Sequence, residues 1–349
     1  MLPPTTFLAD CGDGGEERKV SHLCDRPQPE RFNPSGGVRP LASTEATARR
    51  VPRVVSLWPV LGLRLDLNMG TTWSLPEWSA GPRGDEQAVL EAARVAGYQG
   101  VQGATPRRCR ELGLVPTTFA IHTTPGGLVE QARRWADLGF ACCTVMLGTG
   151  TEDDDDAARL VEEVLVASTT TGIPLYVETH RATITQDLWR TVQLVGRFPE
   201  LRFNGDFSHW YTGHDMASGD IEATLDFVSP VLERVRYLHG RIGTPGCIQV
   251  DVGDGRPDDK PPVVHFRSLW TRAFAGFIRS AHGDPVAAHN GQIGFAPELL
   301  PPEVGYARVI PGPDGEPREE SDRWAQALVL GRIATECFAA AVAMAPDLA

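Results

Sequence analysis

Residues 173–180, IPLYVETH, combine the pattern of a buried strand with an unusual pair of polar side chains. Side chains two positions apart on a strand lie on the same face. The apolar Leu175 and Val177 would share one face, and Glu178 and His180 would share the other. Because a carboxylate removed from water without a partner is costly, the stretch predicts either a solvated strand end or a site that needs both groups.

The alternation of a short apolar strand with an amphipathic helix continues on both sides of this stretch. From about residue 54 onward, eight strands alternate with eight helices, and each helix ends near a glycine, as a helix C-terminus prefers. Strict βα alternation indicates parallel strands joined by crossover helices, and eight such units close a barrel. An open doubly wound sheet is the alternative, but no GxGxxG turn opens the first helix. We expect an α/β fold with a single (β/α)8 TIM barrel over residues 51–349.

The first 50 residues have a different character. They are rich in Pro, Gly, Asp, Glu and Arg and show no apolar periodicity. Such a composition cannot bury enough apolar surface to offset the entropy lost on ordering. We therefore expect a disordered extension over residues 1–50.

The composition of the 349-residue chain restricts its partners. The formal net charge of −12 opposes binding to a phosphate backbone, which needs a clustered basic surface. The seven cysteines show no CxxC spacing, which suits a reducing compartment, and no run approaches about 18 consecutive apolar residues. We expect a cytoplasmic protein that acts on a small molecule, with neither nucleic acid nor a membrane as a partner. Assembly into a homo-oligomer stays open.

Strands five to eight all repeat the division between an apolar and a polar face. In a barrel, alternate residues of each strand face the axis, and the chemistry lies at the carboxyl ends of the strands. The polar faces would therefore aim four side chains at one place: Glu178, Asp206, His239 and Glu298. Three facing carboxylates repel one another unless a cation neutralises them. Carboxylate oxygens with one imidazole suit a divalent ion, so we predict one metal ion, Mn²⁺ before Mg²⁺, Co²⁺ or Zn²⁺.

Four motifs in this order resemble the xylose isomerase-like TIM barrel family, which includes sugar phosphate isomerases and epimerases. They are VETHR at 177–181, DFSHW at 206–210, HGRIG at 239–243 and PELLPPEVGY at 297–306. The resemblance implies that all four residues of the set coordinate the metal. It also implies that Glu178 and Glu298 exchange protons with a sugar.

Further candidates for substrate binding lie close to these motifs. The resemblance implies that His209 and Arg241 hold substrate oxygens. His180 shares a face with Glu178 and would either orient that glutamate or bind substrate. The indole of Trp210 would offer a surface for a sugar ring, with plain packing as the alternative. His122 ends the third strand, where we expect it to line the pocket.

The chemistry of such a site leads to the expected function. A metal that chelates a carbonyl and a neighbouring hydroxyl acidifies the carbon-bound proton and stabilises an enediolate. One glutamate would remove this proton and the other would return it. We therefore expect a metal-dependent isomerase or epimerase of a sugar or polyol, with a lyase or dehydratase of a keto sugar or keto polyol as the alternative. Phosphodiester cleavage is disfavoured by the acidic charge, and a non-catalytic binding protein stays open.

Two segments could adapt this site to its own substrate. The second strand ends in GVQG, where relatives often have an acidic residue instead of Gln102. The segment from Gly243 to Arg267 is rich in Gly, Pro and Asp, and such a long connection predicts a lid or a substrate-selecting loop.

Overall fold

A computed structural model describes residues 61–256, 260–280 and 291–344. Eight parallel strands close a barrel and follow one another around it in sequence order. They are β1 Gly62–Asn68, β2 Gly100–Gln102, β3 Val115–His122, β4 Cys143–Leu147, β5 Leu175–Glu178, β6 Phe203–Gly205, β7 Val235–Gly240 and β8 Gln292–Pro297. The predicted (β/α)8 barrel is confirmed. The extension expected over residues 1–50 lies outside the described residues.

Helices cover the outside of the barrel. Those in the described residues are α1 Glu86–Val95, α2 Pro106–Glu111, α3 Leu128–Leu138, α4 Asp154–Thr171, α5 Leu188–Arg197, α6 Phe207–Gly213, α7 Ile221–Phe227, α8 Ser229–Leu232, α9 Pro261–Ser280 and α10 Arg323–Met344. A small antiparallel hairpin, β9 Val309–Pro311 and β10 Pro317–Glu319, lies between β8 and α10. The connection between β6 and β7 carries three helices instead of the single helix that we predicted.

The main hydrophobic core lies between the strands and the helices. Val145 and Val177, from neighbouring strands, are buried in the same cluster as Leu160 and Val164 of α4. The alternate residues of each strand face the barrel lumen instead. This alternation places the side chains of Tyr176 and Glu178 inside the barrel.

A closed polar network fills the lower lumen, nearer the amino ends of the strands. The guanidinium of Arg64 donates two hydrogen bonds of 2.7 Å to the carboxylate of Asp66. The hydroxyl of Tyr237 donates to the same carboxylate at 2.8 Å and lies 3.4 Å from the hydroxyl of Thr117. Gly294 leaves room for the Tyr237 ring, since a Cβ atom there would lie 2.3 Å from it. We call these four polar residues, Arg64, Asp66, Thr117 and Tyr237, the lower layer.

The last helix, α10, is apolar enough to resemble a membrane span. Its length and its mean hydropathy of 1.6 over the most apolar 18 residues would allow it to cross a bilayer, although it contains no long uninterrupted apolar run. It packs instead along α9, β8 and β1, with Leu330 and Ile333 buried in the main core. Its contacts are those of a barrel helix.

The connection after β7 is shorter than the predicted loop from Gly243 to Arg267. Helix α9 already begins at Pro261. Proline is tolerated in the first turn of a helix because its missing N–H has no intrahelical partner there. Pro261 and Pro262, which fall within the predicted loop, therefore start a helix instead.

Candidate metal centre

The structure brings together the four residues predicted as metal ligands. Glu178, Asp206, His239 and Glu298 each offer one ligand atom, and these atoms all lie within 4.8 Å of one another. Each residue stands at or just beyond the carboxyl end of a different strand, from β5 to β8. We call these four residues the upper layer.

Asp206 is fixed by the helix that follows it. It is the N-cap of α6, and its Oδ1 accepts hydrogen bonds from the backbone N–H of Ser208 at 3.1 Å and from the Ser208 hydroxyl at 2.5 Å. An N-cap side chain satisfies a free N–H of the first helical turn. Because Oδ1 is occupied in this way, Oδ2 is the oxygen that faces the neighbouring charged groups.

The orientation of His239 is set by an amide. The Nε2 atom of His239 lies 2.8 Å from Oε1 of Gln102, which also accepts from Nδ2 of Asn68 at 2.8 Å. An amide oxygen can only accept, so Nε2 carries the hydrogen. The opposite ring nitrogen, Nδ1, lies 3.2 Å from Oε1 of Glu178 and 3.5 Å from Oε2 of Glu298. A histidine held in this way presents Nδ1 as a ligand atom.

Two pKa shifts reflect the crowding of acids around this imidazole. Burial raises the pKa of Glu178 above its ordinary value, although the nearby His239 lowers it in part. For His239, burial acts to lower the pKa, but Glu298 and Glu178 outweigh it and raise the value to about 9. The surrounding acids therefore favour protons on the His239 imidazole when no other cation is present. A divalent ion could replace those protons, and the oxygen and nitrogen donors present suit one.

One permanent cation, Arg241, already lies beside the upper layer. It is fully buried and forms ion pairs with Oδ2 of Asp206 and, at 3.3 Å, with Oε2 of Glu298. Its Nε donates to the Ser208 hydroxyl at 3.0 Å, and its Nη1 donates to the backbone carbonyl of Glu298 at 3.2 Å. These contacts hold the guanidinium in place. One guanidinium cannot balance three carboxylates, so the upper layer has an excess of negative charge.

Two histidines predicted to bind substrate stand next to the upper layer. The rings of His180 and His209 lie 3.7 Å apart between centroids, and each has a nitrogen within 4.8 Å of a Glu178 oxygen. His209 is buried, and its Nδ1 has no hydrogen-bond partner. Burial, followed by the charge of Arg241, holds the pKa of His209 well below its ordinary value.

Two other predicted residues are not brought to the cluster. Trp210 is fully buried in the main core, and its indole N–H donates to the backbone carbonyl of Thr185 at 2.8 Å. The structure therefore favours the packing alternative for this indole. His122 faces the helices, where its Nε2 lies 3.0 Å from a carboxylate oxygen of Glu163 on α4. On β3 it is Ile121, 66% exposed, that lies on the lumen side, because Thr117 on the same face contacts Tyr237.

Two residues that contact the site, Asn68 and Tyr306, were not among the predicted site residues. Asn68 lies at the end of β1 and donates to Oε1 of Glu298 at 3.1 Å. The alternation in RLDLN at residues 64–68 carried a signal for it, since the polar side chains occupy one face. Tyr306 lies in a loop, with its ring 4.5 Å from the Arg241 guanidinium. No periodic pattern could have identified it.

Comparisons with known proteins give matches to solved structures alone. No protein-family model matches the chain, and no curated protein matches it. A xylose isomerase-like TIM barrel protein from Mycobacterium smegmatis in complex with magnesium has a TM-score of 0.45 and 13% identity, over 82% of this chain and 98% of the other. Endonuclease IV from Thermus thermophilus has a TM-score of 0.41 and 18% identity, over 81% and 100%.

A sugar phosphate isomerase/epimerase from Parabacteroides distasonis has a TM-score of 0.43 and 13% identity, over 81% of this chain and 97% of the other. The Mycobacterium smegmatis protein carries the family description that the sequence motifs resemble. Similarities at this level do not assign a reaction.

Proposed function

We propose that the protein is a divalent-metal-dependent isomerase or epimerase of a sugar or polyol. The observation that carries the proposal is the convergence of three carboxylates and one oriented imidazole within 4.8 Å, at the carboxyl ends of four neighbouring strands. Active sites of (β/α)8 barrels lie at this end of the strands. An excess of buried carboxylate at such a place is the arrangement expected of a metal site.

The four residues of the upper layer would hold the ion. His239 would contribute Nδ1, because its Nε2 hydrogen is bound to Gln102, and Asp206 would contribute Oδ2, because its Oδ1 is bound to Ser208. The bound ion would supply Lewis-acid polarisation of a substrate carbonyl. Manganese is the ion that we expect, since oxygen donors with a single imidazole suit a borderline-hard cation.

The two glutamates would carry out the proton transfer. Glu178 and Glu298 both approach Nδ1 of His239, and their side chains are 2% and 16% exposed. One carboxylate would take the proton from the carbon beside the carbonyl. The other would deliver a proton to the opposite face of that carbon, which gives an epimer, or to the adjacent carbon, which gives an isomer.

The neighbouring side chains would orient the substrate. Arg241 presents N–H donors that are fixed by Asp206 and Ser208. The buried, unpaired Nδ1 of His209 is available to a substrate oxygen. Donors and acceptors held in this way lower the entropy lost when a substrate reaches its reactive geometry.

Solvent isotope incorporation tests the proposal. The manganese-loaded protein would be incubated with candidate sugars and polyols in D₂O, and the products analysed by mass spectrometry and NMR. An isomerase or epimerase gives a product of unchanged composition with deuterium at one carbon, whereas a lyase or dehydratase loses water or another group. Removing either acid/base group should lower the rate by about 10²-fold or more. We therefore expect this loss in Glu178→Gln and Glu298→Gln.

The matched control is Glu91→Gln, an exposed glutamate on α1, which should retain full activity. Retention of substrate binding with no turnover by the wild-type protein would instead indicate a binding protein. Full activity of both site variants would refute the proposed proton transfer.

A further inference from the structure

Arg181 is a cation at the rim of the site without an acidic partner. It follows the end of β5 and is exposed, and its guanidinium lies 5.0 Å from the centroid of the Tyr306 ring. Within residues 61–256, 260–280 and 291–344, no carboxylate lies within 4.0 Å of it. Many other arginines of the barrel are paired, including Arg64 and Arg241. Within the same residues its side chain donates no hydrogen bond, so its N–H groups are open to solvent or to a ligand.

The loop that carries Arg181 is built to hold one conformation. The Thr185 hydroxyl donates to the carbonyl of Glu178 at 2.5 Å and accepts from the backbone N–H of His180 at 3.1 Å. The Thr183 hydroxyl donates to the carbonyl of His180 at 2.6 Å. Ala182 has a φ angle of 54°, a left-handed conformation that costs energy for a residue other than glycine. Such strain persists where the surrounding contacts enforce it, so the position of Arg181 is fixed in advance.

Tyr306 connects this rim cation to the upper layer. Its ring contacts two guanidinium groups, those of Arg181 at 5.0 Å and Arg241 at 4.5 Å from the centroid. Its hydroxyl lies 3.4 Å from Nε2 of His180. A guanidinium is attracted to the face of an aromatic ring. The ring therefore extends from the buried Arg241 to the exposed Arg181, along one side of the site.

The charges at this side favour a negatively charged ligand. With a divalent ion bound, the three carboxylates of the upper layer, the ion and the two guanidinium groups together carry one net positive charge. Paired guanidinium groups are the usual protein ligands of phosphate and carboxylate groups. A neutral sugar would leave this charge and the Arg181 donors without a partner.

We propose that Arg181, held over Tyr306, forms a subsite for an anionic oxygen group of the substrate, a phosphate or a carboxylate. This inference rests on the proposed function, because the opposite end of the substrate would lie at the metal. The substrate class is then an acidic derivative of a sugar or polyol. Arg181 contributes binding and positioning of the substrate, and Tyr306 positions Arg181.

Calorimetric titration of the full-length protein tests the subsite. Manganese binding is measured first. Inorganic phosphate, acetate and the neutral glycerol are then titrated into the manganese-loaded protein. We expect phosphate or acetate to bind measurably more tightly than glycerol. The variant Arg181→Gln should lower the affinity for the preferred anion by about tenfold or more, the loss expected for a charged hydrogen bond. Arg181→Lys should keep part of the affinity. Manganese binding should be unchanged in both variants.

A matched control is Arg94→Gln, which changes an exposed arginine in the last turn of α1, at the opposite end of the barrel. This variant should bind the anions as the wild type does. Preference for phosphate identifies a phosphate ester, and preference for acetate identifies a sugar acid. Manganese binding without any anion binding, or anion binding that survives in Arg181→Gln, overturns the subsite and leaves the metal site intact. Absence of manganese binding overturns the proposed function as well.

Discussion

The barrel lumen contains two polar layers that differ in how their charges are balanced. In the lower layer, one arginine faces one aspartate, and a tyrosine hydroxyl completes the set of hydrogen bonds. In the upper layer, three carboxylates surround one imidazole, and a single guanidinium lies beside them. Apart from Glu298, whose side chain is 16% exposed, both layers are buried, so water compensates their charges little. The lower layer is complete as it stands, whereas the upper layer has room for another positive charge.

This difference separates a structural network from a functional one. A buried pair with all its hydrogen bonds satisfied contributes to a unique packing of the lumen. A buried cluster with an excess of one charge costs folding free energy unless a ligand binds it. Changes in the lower layer should therefore alter stability, and changes in the upper layer should alter metal binding.

The largest effect is expected when two upper-layer ligands are removed together. The variant Asp206→Ala/His239→Ala should bind no stoichiometric divalent ion, because only two carboxylates remain. Metal content after dialysis against manganese measures this by elemental analysis. The control Asp137→Ala/His214→Ala changes an exposed aspartate and an exposed histidine and should bind one ion per chain. A full complement of metal in the first variant would exclude the proposed site.

The next effect concerns the lower layer. The variant Arg64→Met leaves Asp66 as a buried carboxylate without its counter-ion, which typically costs about 3–5 kcal/mol of unfolding free energy. Urea unfolding of the wild type and the variant measures the loss. Manganese affinity of the folded variant should stay within the error of the wild-type value. A stable Arg64→Met protein with weakened metal binding would show that the two layers are not separate in function.

A smaller loss is expected from the amide that orients His239. The variant Gln102→Leu removes the acceptor for the Nε2 hydrogen. Loss of such an outer contact typically lowers metal affinity about 10- to 100-fold. Calorimetry with manganese measures it, and Gln87→Leu, which changes a half-buried glutamine of α1 that donates a hydrogen bond to Glu91, serves as the control. Unchanged affinity in Gln102→Leu would mean that packing alone orients the imidazole.

The smallest effect is a dependence of metal-induced stabilisation on pH. The pKa of His239 is raised from 6.5 to about 9, so its protonation stabilises the metal-free protein below pH 6.5 and this contribution is lost as the pH rises through 9. The raised pKa of Glu178 acts in the same direction. A metal ion competes with these protons. The increase in melting temperature caused by Mg²⁺ should therefore grow between about pH 6.5 and pH 9.

Thermal scans across this window give the measurement, with His239→Gln as the control. That variant has no imidazole to titrate, so the growth of the effect with pH should be weaker. An equal stabilisation by Mg²⁺ at both ends of the window in the wild type would contradict the exchange of protons for metal.

The barrel and the four residues of the upper layer could be predicted from the sequence because both follow from the two-residue repeat of side chains along a strand. On β5 and β7 the polar residues alternate with apolar ones, and the parallel arrangement brings the carboxyl ends of the strands together. The same two-residue period explains why His122 does not line the pocket as predicted. In β3 both faces carry apolar and polar residues, so the sequence could not show that Thr117 faces the lumen and that His122 faces α4.

Other parts of the site depend on contacts that no local pattern reveals. Asn68 reaches Glu298 only because β1 closes the barrel against β8, across 230 residues of sequence. After Asp206 the chain changes from a strand to a helix, so side chains repeat every three to four residues instead of every two. His209 therefore lies beside Asp206, whereas Trp210 packs into the core. Arg181 and Tyr306 lie in loops, and their contact depends on how two separate loops fold over the barrel mouth.

The lower layer also determines how reactants travel. Because the Tyr237 ring occupies the space above Gly294, the lumen is filled beneath the upper layer, which leaves the side of the βα loops for access to it. Under the proposed function, substrate, product, metal and exchanging hydrogens would all pass between the βα loops. A bound substrate that covers this side of the site would shield Glu178 and Glu298 from bulk water. A proton removed from the bound substrate could then return to it before exchanging with solvent. The fraction of substrate-derived isotope retained in the product would measure how completely the bound substrate excludes water.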